Sequence, residues 1–250
     1  MGILPTLSAR TILTTYQPLR EYLEAGLQRP VLLVTAPDYR TFIERTQRGE
    51  YRYLVTAPHF ARLAQREAGY QPLVRVRREL NALLVTDRAH GISTIEQLRG
   101  KQVTTPDPLA IISMLGTELL RAHGLRSGQE VTLHPMPSFN SAVIALTNGE
   151  SAAAVTAATA LRQMPEETRG GLVTLGASRV VPHVIYLASP DVPAEELDRL
   201  RGLLLAFSGE ARGREFFERT GFAGLDPVSE EELRTLDPYV EDLKKALGPK

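Results

Sequence analysis

The 250 residues contain no cysteine, no tryptophan, no apolar run of membrane-spanning length and no excess of either charge. Without cysteine, disulfides and thiolate metal sites are excluded. A bilayer-crossing helix needs about 20 consecutive, mostly apolar residues, and no stretch approaches that. Lys and Arg number 29 against 29 Asp and Glu, whereas a protein that neutralises a row of phosphates is distinctly basic, so nucleic acid is not an expected partner. The opening Met1-Gly2-Ile3-Leu4-Pro5 has neither the basic nor the apolar region of a secretory leader, an absence that taken literally means cytoplasm. What is present is an ordinary globular composition, 43% hydrophobic and 23% charged. A chain of this length buries roughly 70–75% of its unfolded surface, as one large domain or two lobes.

Short apolar runs alternate with segments of helical period, the pattern of an α/β fold. Strands are expected at residues 2–4, 31–35, 53–56, 82–86, 102–104, 131–134, 153–155, 172–175 and 184–187. Ile12, Tyr16, Leu19 and Leu23 recur at helical spacing, and Pro18 is expected to open or kink that helix. Ser93 with Glu96, and Ser229 with Glu232, read as capping boxes. Val34-Thr35-Ala36-Pro37 recurs as Val55-Thr56-Ala57-Pro58, each time a strand closing on a proline that leads into a helix. The carboxyl ends of parallel strands form the ligand crevice of open α/β sheets, so the two turns would deliver Asp38, Tyr39 and His59 to one edge; two βα turns sharing a convenient sequence is the plainer explanation. Crossings at Thr86-Asp87-Arg88 and Ala188-Ser189-Pro190 divide the chain into one lobe of residues 1–88 plus 189–250 and an inserted lobe of residues 89–188. After Pro190 only helices are expected, at 193–207, 210–220 and 229–247.

Catalytic signatures are missing: HExxH, GxSxG, GxxxxGK[ST] and GxGxxG do not occur. The five histidines are scattered without metal-ligand spacing. No catalytic residue, metal site or cofactor is therefore expected. Arg75, Arg77 and Arg78 read as a solvated strand face, with an anion patch as the rival reading. Two helix starts are more informative. In Asp107-Pro108-Leu109-Ala110-Ile111-Ile112-Ser113, Asp107 suits an N-cap and Pro108 the first helical position. Free amides and the dipole at such a start favour an anion, but Asp107 competes for those amides and the next three residues bring no hydroxyl. In Pro137-Ser138-Phe139-Asn140-Ser141, polar groups and an aromatic ring could orient a ligand, or Ser138 or Asn140 could simply cap.

At these turns, and at the two Val-Thr-Ala-Pro segments, the sequence resembles the phosphate/phosphite/phosphonate substrate-binding proteins of ABC transporters, the PhnD-like family. The likeness runs through Gly2-Ile3-Leu4-Pro5, Tyr16-Gln17-Pro18-Leu19, Thr35-Ala36-Pro37-Asp38-Tyr39, Gly49-Glu50-Tyr51, Thr56-Ala57-Pro58-His59, Asp107-Pro108-Leu109, residues 138–140, Asn148-Gly149-Glu150 and Phe216-Phe217 before Thr220-Gly221-Phe222. It implies a type II periplasmic-binding-protein fold: two lobes, each a mixed sheet flanked by helices, joined by two hinge crossovers, with a small ligand in the interlobe cleft. It also implies a periplasmic monomer whose leader has been removed and whose partner is an ABC permease, or a membrane signalling protein if the module is a sensor. No enzymatic activity goes with it.

The chain departs from the family where the family holds its anion. Ala110, Ile111 and Ile112 stand where phosphonate binders resemble one another in a Ser-Thr-Ser run, Ser138-Phe139-Asn140 replaces Ser-His-Asp, His59 replaces a Tyr, and no acid occurs in residues 153–159. Each lost hydrogen bond to a charged group is worth roughly 1.5–3 kcal/mol, so three missing hydroxyls weaken phosphonate binding by orders of magnitude. The expected pocket is more apolar, lined by Thr6, Ser8, Tyr39, His59, Ile111, Ile112, Ser113, Ser138, Phe139 and Asn140.

Overall fold

The computed structural model describes residues 1–248. In chain order it runs β1 (Gly2–Ile3), α1 (Ala9–Leu27), α2 (Tyr39–Gln47), β2 (Tyr53–Thr56), α3 (Pro58–Ala68), β3 (Gln71–Val76), β4 (Glu79–Leu80) and β5 (Ala82–Asp87). Two short 3-10 turns, Arg88–His90 and Ile95–Leu98, lead to β6 (Gln102–Thr105), α4 (Ile111–Ala122), β7 (Thr132–Pro135), α5 (Phe139–Thr147), β8 (Ala153–Ala157), α6 (Ala158–Gln163) and α7 (Glu166–Arg169). The chain closes with β9 (Leu172–Ala177), β10 (Val181–Pro182), β11 (Ile185–Ala188), α8 (Ala194–Phe207), α9 (Ala211–Thr220), β12 (Leu225–Pro227), α10 (Glu230–Arg234) and α11 (Asp237–Leu247).

Two compact units result, Met1–Glu79 with the residues from Val181 onward, and Leu80–Val180. In the first unit the strand order is β1-β2-β11-β3-β12. β1 and β2 are parallel, while β11 runs antiparallel to both β2 and β3. In the second the order is β7-β6-β8-β5-β9, with β6 parallel to β7 and β8 and β5 antiparallel to β8 and β9. The same plan is thus built twice: parallel strands that each lead into a helix, followed by an antiparallel strand. The crossings lie earlier than residues 88 and 188. β5 belongs to the second unit because its partners are β8 and β9, and β11 belongs to the first because it fills the gap between β2 and β3. β4 and β10, in the two crossing segments, pair with each other. Residues 249 and 250, assigned by sequence to the first lobe, lie outside the described residues.

Local chemistry explains the elements. Ser8 caps α1 by accepting from Thr11 N (3.2 Å), and Ile12, Leu19, Leu23 and Leu27 turn inward at helical spacing. Pro18 neither opens nor ends this helix but sits within it. It deprives the Thr14 carbonyl of its usual donor, and Thr14 lies on the exposed side of the helix. The core of the first unit gathers Ile12, Leu19, Leu23, Val74, Tyr186, Phe207 and Phe216 between α1, α8, α9 and the sheet. In the second, Val85, Val143, Leu146, Ala154 and Met164 form a smaller cluster. Close approach between α4 and β8 requires Gly116, where a Cβ would lie 2.5 Å from Val155 Cγ1.

Three further expectations shift. The capping box before the second 3-10 turn is Thr94 with Gln97, one residue beyond Ser93 and Glu96; Glu96 instead meets the His123 ring at 2.6 Å. The C-terminal helix is two helices, because Pro238 fits the first turn of a new helix better than the interior of an old one. A strand, β12, intervenes among the helices expected after Pro190. The Ser229–Glu232 box forms as read.

Candidate functional site

Each unit presents helix starts at the carboxyl ends of its parallel strands. In the first unit α1, α2 and α3 begin there. Thr6 and Ser8 lie exposed in the turn between β1 and α1, with the Ser8 hydroxyl shared between Thr11 N and Thr11 Oγ1. Asp38 caps α2 by accepting from Thr41 N at 2.7 Å, and that hydrogen bond holds its carboxyl below the ordinary value. Tyr39, the first residue of α2, is half-buried with its ring edge-on to Phe60 at 5.7 Å, and His59 lies 4.3 Å from the same ring. Phe60 thereby brings Tyr39 and His59 into one aromatic group, within which His59 is only 1% exposed. No side chain caps α3, whose first residue is Pro58.

In the second unit the turn after β6 satisfies itself. Asp107 Oδ1 accepts from Leu109 N at 2.7 Å and the Asp107 carbonyl accepts from Ala110 N at 2.9 Å. Asp107 therefore caps a turn, not the helix. α4 starts at Ile111, with Ala110 as a cap that has no side-chain acceptor. The Ser113 hydroxyl donates to the Pro106 carbonyl at 3.0 Å, and Thr105 Oγ1 donates to the same oxygen at 3.1 Å. Ile111, Ile112 and Ser113 are all buried. At α5, Ser138 and Ser141 cap reciprocally: Ser141 N donates to Ser138 Oγ (3.0 Å) and Ser138 N to Ser141 Oγ (2.9 Å). Phe139 is half-buried and Asn140 exposed.

The structure thus brings together Thr6 with Ser8, Tyr39 with His59, Ile111 with Ile112 and Ser113, and Ser138 with Phe139 and Asn140. The hydroxyls of Ser8, Ser113 and Ser138 are already engaged within the backbone of their own turns. None of these ten residues is an aspartate, glutamate, lysine or arginine. The basic residues of β3 and its turn are occupied elsewhere: Arg75 pairs with Glu232 (2.6 Å), Arg77 with Asp226 (2.8 Å), and Arg78 donates to the Gly221 carbonyl. No cluster of metal-binding side chains occurs among the described residues, and no helix among them is long and apolar enough to cross a membrane.

Two residues escaped the sequence reading. Thr56 ends β2 and Thr156 lies near the end of β8; both are fully buried, and neither hydroxyl has a hydrogen-bond partner. Each precedes an alanine and a helix with no side-chain cap. The signal was a third echo, since Val155-Thr156-Ala157 repeats Val34-Thr35-Ala36 and Val55-Thr56-Ala57. Thr56 also borders a gap between α2 and α3 too narrow to hold a water molecule, with Phe42, Leu54, Phe60 and Leu63 among its walls.

The model of the family described as ABC transporter, phosphonate, periplasmic substrate-binding protein matches residues 1–233. The chain belongs to this family. It is accordingly a phosphonate-binding-like substrate-binding protein of an ABC transporter, not an enzyme, with a small-molecule ligand and a membrane permease as partners. Solved structures agree on a type II periplasmic-binding-protein fold. PhnD1 from Prochlorococcus marinus in complex with methylphosphonate is similar with a TM-score of 0.85 at 8% identity, covering 97% of this chain and 96% of its own. A binding protein component of an ABC phosphonate transporter from Pseudomonas aeruginosa gives 0.81 at 14%, covering 100% and 88%. XAC2383 from Xanthomonas citri, bound to ATP, gives 0.82 at 16%, covering 98% and 96%.

Proposed function

We propose that this protein delivers to its permease a solute less anionic than a phosphonate. One observation carries the reading. At the start of α4, where a family anion would find hydroxyl donors, the side chains of Ala110, Ile111 and Ile112 offer only methyl groups and the Ser113 hydroxyl is turned back onto Pro106, which leaves the uncapped helix amides without side-chain donors beside them. An oxyanion there would lose charge-assisted hydrogen bonds worth roughly 1.5–3 kcal/mol each and lie against buried apolar side chains, which penalise charge. Tyr39 and Phe139 supply aromatic surface in compensation, and Thr6 and Asn140 supply exposed polar groups. A leader directs the native protein to the periplasm and is removed there.

Calorimetry decides the matter. Phosphate, phosphite and methylphosphonate are expected to bind no more tightly than about millimolar, and micromolar binding of any of them refutes the apolar-pocket reading. A thermal-shift screen setting oxyanions and ATP against neutral and aromatic compounds should show stabilisation by the latter group; stabilisation by oxyanions alone would refute it independently. The same apolar edge serves a sensor as well as a transporter. Co-purification with a membrane kinase or cyclase in place of a permease would move the protein to that role.

A further inference from the structure

β1 is the last strand of the first unit's sheet, and residues 31–35, expected as a strand, form none but meet it at one parallel bridge, Gly2 with Val34. Residues 31–35 run alongside β1, held by Met1 N to the Leu32 carbonyl (2.5 Å), Val34 N to the Met1 carbonyl (3.0 Å) and Ile3 N to the Val34 carbonyl (2.9 Å). Backbone groups alternate along a strand. Those of Leu32 and Val34 face β1, so those of Val31, Leu33 and Thr35 face outward. Two of the outward groups are already engaged: Val31 N donates to Glu24 Oε1 (2.9 Å) and the Thr35 carbonyl accepts from Arg45 (3.4 Å). Four remain open: the N–H and C=O of Leu33, the N–H of Thr35 and the C=O of Val31.

That set is self-complementary. Two copies placed antiparallel, with Leu33 opposite Leu33, would exchange both Leu33 bonds and bring each Thr35 N–H to the other's Val31 carbonyl. The groups that this register would otherwise pair, Val31 N–H with the Thr35 carbonyl, are the two already satisfied within each copy. An unrelated peptide strand would leave its own groups unpaired at those positions. Side chains agree with the register. Leu32 is 75% exposed, the most exposed large hydrophobic residue described, and Val34 is 40% exposed. They share a face, and the two-fold sets Leu32 of each copy directly against Val34 of the other. Pro30 and Pro37 bound the segment, so pairing cannot extend. Other edges are blunted: β12 carries Asp226 and Pro227, and β7 carries His134 and Pro135.

We infer that residues 31–35 form a homodimer interface by antiparallel strand pairing about Leu33. The contact is isologous, so it closes at two copies and does not propagate. Five residues a side make it a small interface, with a dissociation constant on the order of 0.1 mM.

Sedimentation velocity on the full chain, from about 1 µM to about 1 mM, should show reversible dimerisation. Leu32→Lys with Val34→Lys places like charges opposite one another and should weaken association at least about tenfold. Leu32→Lys with Val34→Glu places opposite charges together only in the stated register, and should restore a dimer that salt dissociates. Unchanged far-UV circular dichroism verifies that both variants fold. A wild-type monomer at the highest concentration overturns the inference. So does a dimer that survives in the Lys/Lys variant, or a Lys/Glu variant no more associated than the Lys/Lys one.

Discussion

Arg62 offers the sharpest test of how the C-terminal helices are held. Its guanidinium, with a side chain only 9% exposed, donates to Asp237 through Nε (2.7 Å) and Nη2 (3.2 Å), and through Nη1 to Glu230 (2.7 Å) and Gln65 (2.7 Å). One residue on α3 thus fastens both α10 and α11. Breaking a fully buried pair costs about 3–5 kcal/mol, and an exposed one 0.2–1 kcal/mol. Here the cation is buried, but Glu230 and Asp237 are 46% and 39% exposed and rehydrate readily, so Arg62→Ala should cost about 2 kcal/mol. That corresponds to roughly a thirtyfold loss of protection for α11 amides in hydrogen exchange, at about 1.4 kcal/mol per decade. Local exchange is the right measurement because a two-unit chain need not unfold in one step. A double-mutant cycle with Asp237→Ala should show coupling of about 1–2 kcal/mol. The pH dependence has a fixed sign. Hydrogen bonding to Arg62 holds both carboxyls below their ordinary values, so the contribution is complete above the ordinary carboxylate range and disappears as acid protonates the folded groups. The gap between wild type and variant should close below about pH 4. Unchanged α11 exchange, or a gap that widens in acid, would refute the reasoning.

Other consequences follow from single contacts. His183 accepts from Val184 N at 2.8 Å, packs on Phe222 and is lowered by burial to a pKa of about 4. Its neutral form is the folded one, so stability should be complete above about pH 6.5 and fall by up to ~3 kcal/mol toward pH 4; urea titrations of wild type and His183→Phe should diverge in that window, and a flat wild-type profile would be contrary. Gly116→Ala should cost about 1–3 kcal/mol by driving a methyl group into Val155, with Val155→Ala recovering part of the loss in thermal melts. Thr56→Val and Thr156→Val remove buried hydroxyls that have no partner, so each should be neutral or stabilising by about 1 kcal/mol in denaturant titration; a loss above that would mean the hydroxyl is bonded in solution.

Strands were legible where the pattern was local. β2 falls on residues 53–56 as read, because Tyr53, Leu54, Val55 and Thr56 are all buried and all β-formers. β3 was legible only as the strand face of Arg75, Arg77 and Arg78, since Pro72 and Arg75 interrupt its apolar run; Arg75 is accommodated on the strand by Glu232 of α10, and Arg77 lies just beyond it, paired with Asp226 of β12. The lobe boundaries were misjudged because a strand's sheet depends on its distant partners. β11 reads like any apolar strand, and only pairing with Tyr53 and Gln71 assigns it to the first unit. The candidate site was legible as turns and residue types but not as hydrogen bonds. That Ser113 and Ser138 point their hydroxyls at backbone follows from the loop path, which residue order alone does not specify. The buried threonines were visible only as a repeated tripeptide.

The place of β11 bears on how the chain is made and moved. It sits between β2 and β3, yet the ribosome supplies it only after the whole of Leu80–Val180. While the first 79 residues are emerging, β2 and β3 have no partner to join them, so that sheet cannot close. The second unit is contiguous and is free to fold as soon as it is complete. A family whose members work outside the cytoplasm needs chains that remain unfolded until they have crossed a membrane. Here the order of synthesis itself delays the larger fold, since nearly three-quarters of the polypeptide must exist before its central strand does.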